Sequence, residues 1–178
     1  KNTKVILPVH LFGNPSKLDQ ICKIAKEYKL KVVEDACLAT GAIYKNKKIG
    51  SIGDITVFST NPGKILDGIG HGGIITTNNK KIYLKLKQLR DYGRSKRPGK
   101  WPVNSEIIGY NSKLSTVDAS VLNIRLKYLD WYILKRNEIA KLYIKLLDSE
   151  KIKFQETTKN SISAWRNFPI RVKNRDYI

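Results

Sequence analysis

The sequence predicts an α/β fold built on a mostly parallel sheet, and three observations carry that reading. A strand-like run, an amphipathic helical segment and a second strand-like run follow one another at the start of the chain, the order that forces parallel pairing. Two further β-branched runs, "ITVFS" and "GGIITT", come next with turn residues between them. Chemically distinctive residues then fall where these strands end, the edge at which open α/β sheets bind ligands.

Each element has a local cause. "KVILPVHL" is apolar and β-branched and ends on His10, Leu11 and Gly13, so it is expected to be a strand. In "PSKLDQICKIAKEYKL", Leu18, Ile21, Cys22, Ala25 and Tyr28 fall on one helical face, with Ser16 placed to cap it. "KVVEDA" is the second strand and "ITVFS" the third. "GGIITTNN" is the fourth, closed by an Asn-Asn turn, and "KKIYLKLKQLRDYG" is an amphipathic helix ending near Gly93. Residues 94–115 have no periodicity and are rich in Gly, Pro, Ser and Lys, the mark of a long loop. From Ser115 to Leu147 the pattern is one long helix with Val117, Val121, Ile124, Leu126 and Leu129 as its apolar stripe. "AWRNFPIRV" reads as a strand of a second, smaller domain. The expected division is residues 1–114 and 115–178.

The 178 residues are 41% hydrophobic, enough for a core, and contain no apolar run long enough to span a membrane. Cys22 and Cys37 form no C-x-x-C pair and no disulfide framework, which points to a reducing, cytoplasmic setting. Methionine is absent and the chain opens almost directly on an apolar run, so a piece of a longer protein is expected. The formal charge of +19 invites a nucleic-acid reading. Two features weigh against it. The cations are mostly Lys, a poorer fork for phosphate and base edges than Arg, and they are scattered over the whole chain. A basic nucleic-acid-binding module remains the weaker alternative.

The chemistry concentrates at two strand ends. Asp35 closes "KVVEDA"; Ser59 closes "ITVFS", with Lys64 in the turn "TNPGK" just beyond and Gly68, Gly70, Gly72 and Gly73 after it. Asp35 alone could equally cap a helix, and a lone lysine is ordinarily a solvated surface group. Together, a lysine amine, a carboxylate and a hydroxyl beside glycine-rich backbone are what pyridoxal phosphate (PLP) requires: a Schiff-base lysine, an acid for the pyridine nitrogen and a phosphate cradle. "GIGHGG" is not a dinucleotide fingerprint, because its glycines precede a strand rather than a helix. There is no P-loop, and His10 and His71 have no partner at metal-ligand spacing.

The blocks "PVHLFG", "VVEDACLATGAIYKNKKIGSIGDITVFSTNPGK", "GHGGIITTN", "LRDYGR", "GYNSKLSTVDASVL" and "LKYLD" resemble the DegT/DnrJ/EryC1/StrS family of PLP-dependent nucleotide-sugar aminotransferases. The resemblance implies the fold-type I aminotransferase large domain, a mixed and mostly parallel sheet flanked by helices, plus part of a small α+β C-terminal domain. It implies that Lys64 is the Schiff-base lysine, Asp35 the carboxylate that keeps the pyridine nitrogen protonated, and Ser59 a phosphate-binding hydroxyl. It implies that Asn111, in "GYNSK", reaches the phosphate of the neighbouring subunit's cofactor, hence a homodimer with shared active sites. The substrates implied are an amino donor, glutamate by resemblance, and a nucleotide-linked keto-deoxysugar. Leu38 stands where the family commonly has a polar side chain on the cofactor's ring hydroxyl. His71 replaces an acid, and Lys113 an arginine. Lys64 itself argues against the family's dehydratases, which carry His there. His10 and Lys113 are candidate substrate contacts, although His10 also fits a structural histidine. The family's N-terminal third, with a further phosphate loop and a stacking aromatic, has no counterpart here, so an inactive truncated copy is the competing reading.

Overall fold

The computed structural model describes residues 2–94, 105–147, 150–173 and 175–177. Much of the expected loop 94–115, including Trp101, lies outside them.

The chain order is β1 (Val5–Ile6), α1 (Leu18–Glu27), β2 (Lys31–Asp35), β3 (Ile43–Tyr44), β4 (Lys47–Lys48), β5 (Ile55–Ser59), β6 (Gly73–Thr76), α2 (Lys80–Arg90), α3 (Thr116–Leu126), α4 (Leu129–Leu146), β7 (Ile152–Phe154), β8 (Ser161–Ile162) and β9 (Ile170–Val172). The main sheet runs β1-β2-β5-β6. β1, β2 and β5 are parallel and β6 returns antiparallel to β5, so the expected mixed, mostly parallel sheet is present. The register sets Asp35 against Val57. Side chains alternate across a sheet, so Asp35, Val57 and Ser59 share one face and Glu34, Thr56 and Phe58 the other. The second face is buried and closes on Leu18, Ala36, Ala39, Ala42, Ile49 and Leu122.

Several expectations are corrected. The first strand is short because Pro8 and a left-handed Phe12 (φ 58°) turn the chain, although Val9 still bridges Asp35. Ser16 does not cap α1. Its hydroxyl donates to the Val9 carbonyl, and the N-cap of α1 is Lys17, which makes no side-chain capping bond. Tyr28 lies exposed just past that helix. Asn79 does cap α2, accepting from the Lys81 and Ile82 amides at 2.9 and 3.1 Å.

The long helix is two helices. Around residues 124–128 the backbone tightens, with Lys127 N–H on the Ile124 carbonyl and Tyr128 N–H on that of Arg125. This turn lets Leu129 and Ile133 pack on Gly41, where a Cβ would lie 2.7 Å from Ile133 Cγ1. The buried stripe is therefore Leu122, Leu129, Ile133 and Ala140, while Val117, Ile124 and Leu126 are exposed.

The expected terminal strand is confined to β9, which pairs with β7. The segment before it turns back onto the start of the chain. Ala164 N–H donates to the Gly13 carbonyl at 2.9 Å and Arg166 N–H to that of Phe12 at 3.0 Å. Gly13 has φ +95°, and a Cβ there would meet the Trp165 nitrogen at 2.8 Å, so only glycine fits. β8 adds to β3, which pairs with β4 through a hairpin whose loop residues Lys45 and Asn46 both have positive φ, the pattern of a type I′ turn.

Candidate active site

Asp35 is the last residue of β2, half-buried, and its Oδ1 accepts the Cys37 N–H at 3.0 Å. No helix starts there, so Asp35 is not an N-cap; the bond belongs to a local turn. Beyond β5 the chain makes the turn Asn61-Pro62-Gly63-Lys64, closed by Lys64 N–H on the Asn61 carbonyl at 3.0 Å. Proline in second place and glycine with φ +83° in third is the pattern of a type II turn. "NPGK" thus has a local conformational reason, and it presents Lys64 just past the end of β5.

The Lys64 side chain is half-buried, and its Nζ has no hydrogen-bond or ion-pair partner among the described residues. Lys64 and Asp35 both act on the Cys37 thiol. Burial, then the hydrogen bond and charge of Asp35, push the Cys37 thiol up, and the Lys64 charge opposes them. One thiol therefore lies in the fields of both groups. Ser59, on the same sheet face as Asp35, pairs with Gly73 across β5 and β6, and its hydroxyl faces the Asn61 N–H at 3.4 Å.

The glycine-rich segment is folded back and tied down. Thr60 N–H bonds the Gly72 carbonyl, Gly68 N–H the Thr60 carbonyl, and Gly72 N–H the Asn61 Oδ1 at 3.1 Å. A Cβ on Gly72 would sit 2.7 Å from Thr60 Oγ1 and 2.8 Å from Leu114 Cδ1. Thr60 Oγ1 is buried without a hydrogen-bond partner among the described residues. Asp118, in the first turn of α3, clamps the loop, its Oδ1 accepting Ile69 N–H at 2.8 Å and Gly70 N–H at 3.0 Å. Sequence reasoning missed Asp118. The available signal was "STVD", a capping serine, Ser115, with an acid three residues on. Asp118→Ala is expected to cost about 1–3 kcal/mol, because two amides lose their acceptor. Faster hydrogen exchange at Ile69 and Gly70 checks this; unchanged exchange there contradicts it.

The other candidates lie elsewhere. His10 is fully buried. Its Nδ1 accepts the Ser16 N–H at 3.0 Å, so its Nε2 carries the proton and donates to Glu34 Oε2 at 2.9 Å. Both ring nitrogens are thus engaged inside the protein, the structural arrangement, and neither is left for a substrate. Leu38 is half-buried in the turn after β2 and brings no polar group. His71 is exposed. Asn111 is exposed and bridges Asp91, just past α2. Lys113 is paired with Asp91 at 2.7 Å and holds that carboxyl below the usual carboxylate range. No hydrogen bond or ion pair among the described residues joins Asn111 or Lys113 to Lys64, Asp35 or Ser59.

A lysine amine free of ion pairing, a carboxylate sharing its surroundings, a hydroxyl on the same sheet face and a tightly packed glycine loop form a donor set that suits PLP. The DegT/DnrJ/EryC1/StrS aminotransferase family model matches residues 1–177. The chain belongs to that family. A dTDP-3-amino-3,6-dideoxy-alpha-D-galactopyranose transaminase of Aneurinibacillus thermoaerophilus is 40% identical over 174 residues, 98% of this chain and 47% of that protein. The solved structure of S. venezuelae DesV in complex with a ketimine intermediate is 36% identical, with a TM-score of 0.91, covering 98% of this chain and 46% of that one. An E. coli GDP-4-keto-6-deoxy-D-mannose-3-dehydratase with bound hydrated PLP is 27% identical, with a TM-score of 0.85, covering 100% of this chain and 49% of that one. The fold is therefore that of the fold-type I PLP aminotransferases. The chain spans about half the length of the curated relatives it matches.

Proposed function

We propose that this chain carries the cofactor-holding half of a PLP-dependent aminotransferase that moves an amino group onto a keto group of a nucleotide-linked deoxysugar. The observation that carries the reading is that β2 and β5 are adjacent parallel strands, so that Asp35, at the end of β2, and Lys64, in the turn just beyond β5, come from the same edge of the sheet. In this reading residues 1–114 belong to the large domain, and 115–178 form the connecting helices and the start of the small one.

PLP supplies an electrophilic carbonyl carbon and a ring that accepts electron density when bound. The chain's residues do the rest. Lys64 Nζ would hold the cofactor, and the same amine would move a proton at the donor's Cα as general base and then general acid. Asp35 keeps a proton on the pyridine nitrogen through charge and hydrogen bonding. Ser59 and the packed glycine loop hold phosphate, and Asn111, exposed beyond α2, reaches the phosphate site of a second copy in a homodimer. The relatives named as transaminases of amino-deoxysugars, and a lysine where dehydratases of this family carry histidine, favour transamination over dehydration.

The donor is glutamate in this proposal. Adding glutamate to the full-length PLP-loaded protein is expected to bleach its yellow band and release one equivalent of 2-oxoglutarate. A band that persists against glutamate, while a deoxysugar amine bleaches it, would replace the donor and keep the chemistry. A band inert to every amine tested would remove the enzyme assignment.

A further inference from the structure

Arg166 ends the segment that folds back onto the start of the chain, and its guanidinium lies over the Lys64 turn. Its Nη2 is 3.6 Å from where a Cβ on Gly63 would be, one residue before Lys64. Its Nε is buried without a hydrogen-bond partner among the described residues. Arg136, in α4, lies close by: its Nη1 donates to the Trp165 carbonyl at 3.0 Å. Burial, and then the charge of Arg166, push the pKa of Arg136 down, as expected of two guanidinium groups acting on each other in partly desolvated surroundings.

Two neighbouring cations of this kind call for an anion. Among the described residues none supplies it. Asp67, whose Oδ2 accepts the Gly63 N–H, is committed to Arg125, and no carboxylate pairs with Arg166 or Arg136. Nothing about a solvated surface explains the arrangement either, because the Arg166 Nε is cut off from water. Guanidinium is the side chain best suited to grip a carboxylate or phosphate with two parallel bonds.

We infer that Arg166, backed by Arg136, forms an oxyanion subsite beside Lys64 that takes a carboxylate or phosphate group of a substrate. The inference rests on the reading of Lys64 as the cofactor's anchor. A carboxylate would come from the amino donor and a phosphate from the nucleotide of the sugar. In either case Arg166 fixes the substrate against the turn that carries the reactive amine.

Succinate and inorganic pyrophosphate, titrated calorimetrically into the full-length PLP-loaded protein, test this. In Arg166→Gln one of the two is expected to bind about 10- to 100-fold more weakly, the loss of a charge-assisted fork. Loss of succinate identifies the carboxylate source, and loss of pyrophosphate the phosphate source. Arg166→Lys keeps the charge and the packed stem, and covers the case in which the glutamine variant fails to fold. It is expected to weaken the same anion about 3- to 10-fold, because an ammonium offers a point donor in place of the fork. Unchanged affinity for both anions in the folded variants overturns the subsite. Borohydride trapping of PLP at Lys64 in the same samples reports separately on the underlying reading. Failed trapping with the anion effect intact would sink the cofactor assignment and leave the anion site standing.

Discussion

Lys64→Ala is expected to lower transamination by at least about 10²–10⁴-fold, the range for losing one positioned general acid–base group. Pro62 and Gly63 set the backbone of the turn, and the Lys64 amide closes it, so alanine keeps the loop's conformation. The ammonium makes no ion pair among the described residues, so its removal breaks no structural contact. The thermal midpoint should hardly move while the reaction is lost. Lys64→Arg keeps the charge but not a deprotonatable amine, and is expected to be as inactive as alanine. Single-turnover kinetics with the amino donor, read beside a melting curve, check both variants. An arginine variant retaining parental rates would mean that Lys64 serves only as a charge.

The second large effect is on stability. Glu34 is fully buried behind the strand that carries Asp35. Its Oε1 accepts Gly53 N–H at 2.6 Å and the Thr56 hydroxyl at 2.9 Å, and its Oε2 accepts from His10. Glu34→Ala strands three donors at once and is expected to cost about 3–5 kcal/mol, comparable to breaking a buried charged pair. For a chain of this size that is roughly 6–20 °C in melting temperature. Glu34→Gln keeps an acceptor for Gly53 and Thr56 but turns a donor toward His10 Nε2, so its cost should fall between parent and alanine.

The same network gives a pH dependence. Burial pushes the Glu34 carboxyl up, but the bonds from His10, Gly53 and Thr56 outweigh it and hold the group below the usual range. A depressed folded-state value means stability that is present above the ordinary glutamate range and lost as pH falls through the lowered one. Acid unfolding of the parent should therefore be steeper than that of Glu34→Gln. Parallel acid curves for the two proteins contradict the assignment.

Much of this site was legible in the sequence because its cause is local. "NPGK" specifies its own turn, and the alternation of "KVVED" and "ITVFS" fixes which residues share a face. The strand–helix–strand order makes the pairing parallel and brings Asp35 and Ser59 to one edge. What was not legible depends on distant packing. The break at Lys127 has no proline or glycine to announce it; it exists because Leu129 and Ile133 must reach Gly41. Asp118 looks like an ordinary first-turn acid until the glycine loop lies against it. Arg166 sits in a run that reads as strand, and its position over Gly63 arises only when Trp165 closes on Gly13. His10 looked like a site residue because it follows a strand, and the buried acid beside Asp35 claims it instead.

The most direct test is to reduce the full-length protein with borohydride in the presence of PLP, digest it and map the pyridoxyl group by mass. One modified peptide is expected, carrying the group on Lys64 and absent from Lys64→Ala. A group spread over the exposed lysines, or fixed at another residue and unaffected by Lys64→Ala, would contradict it.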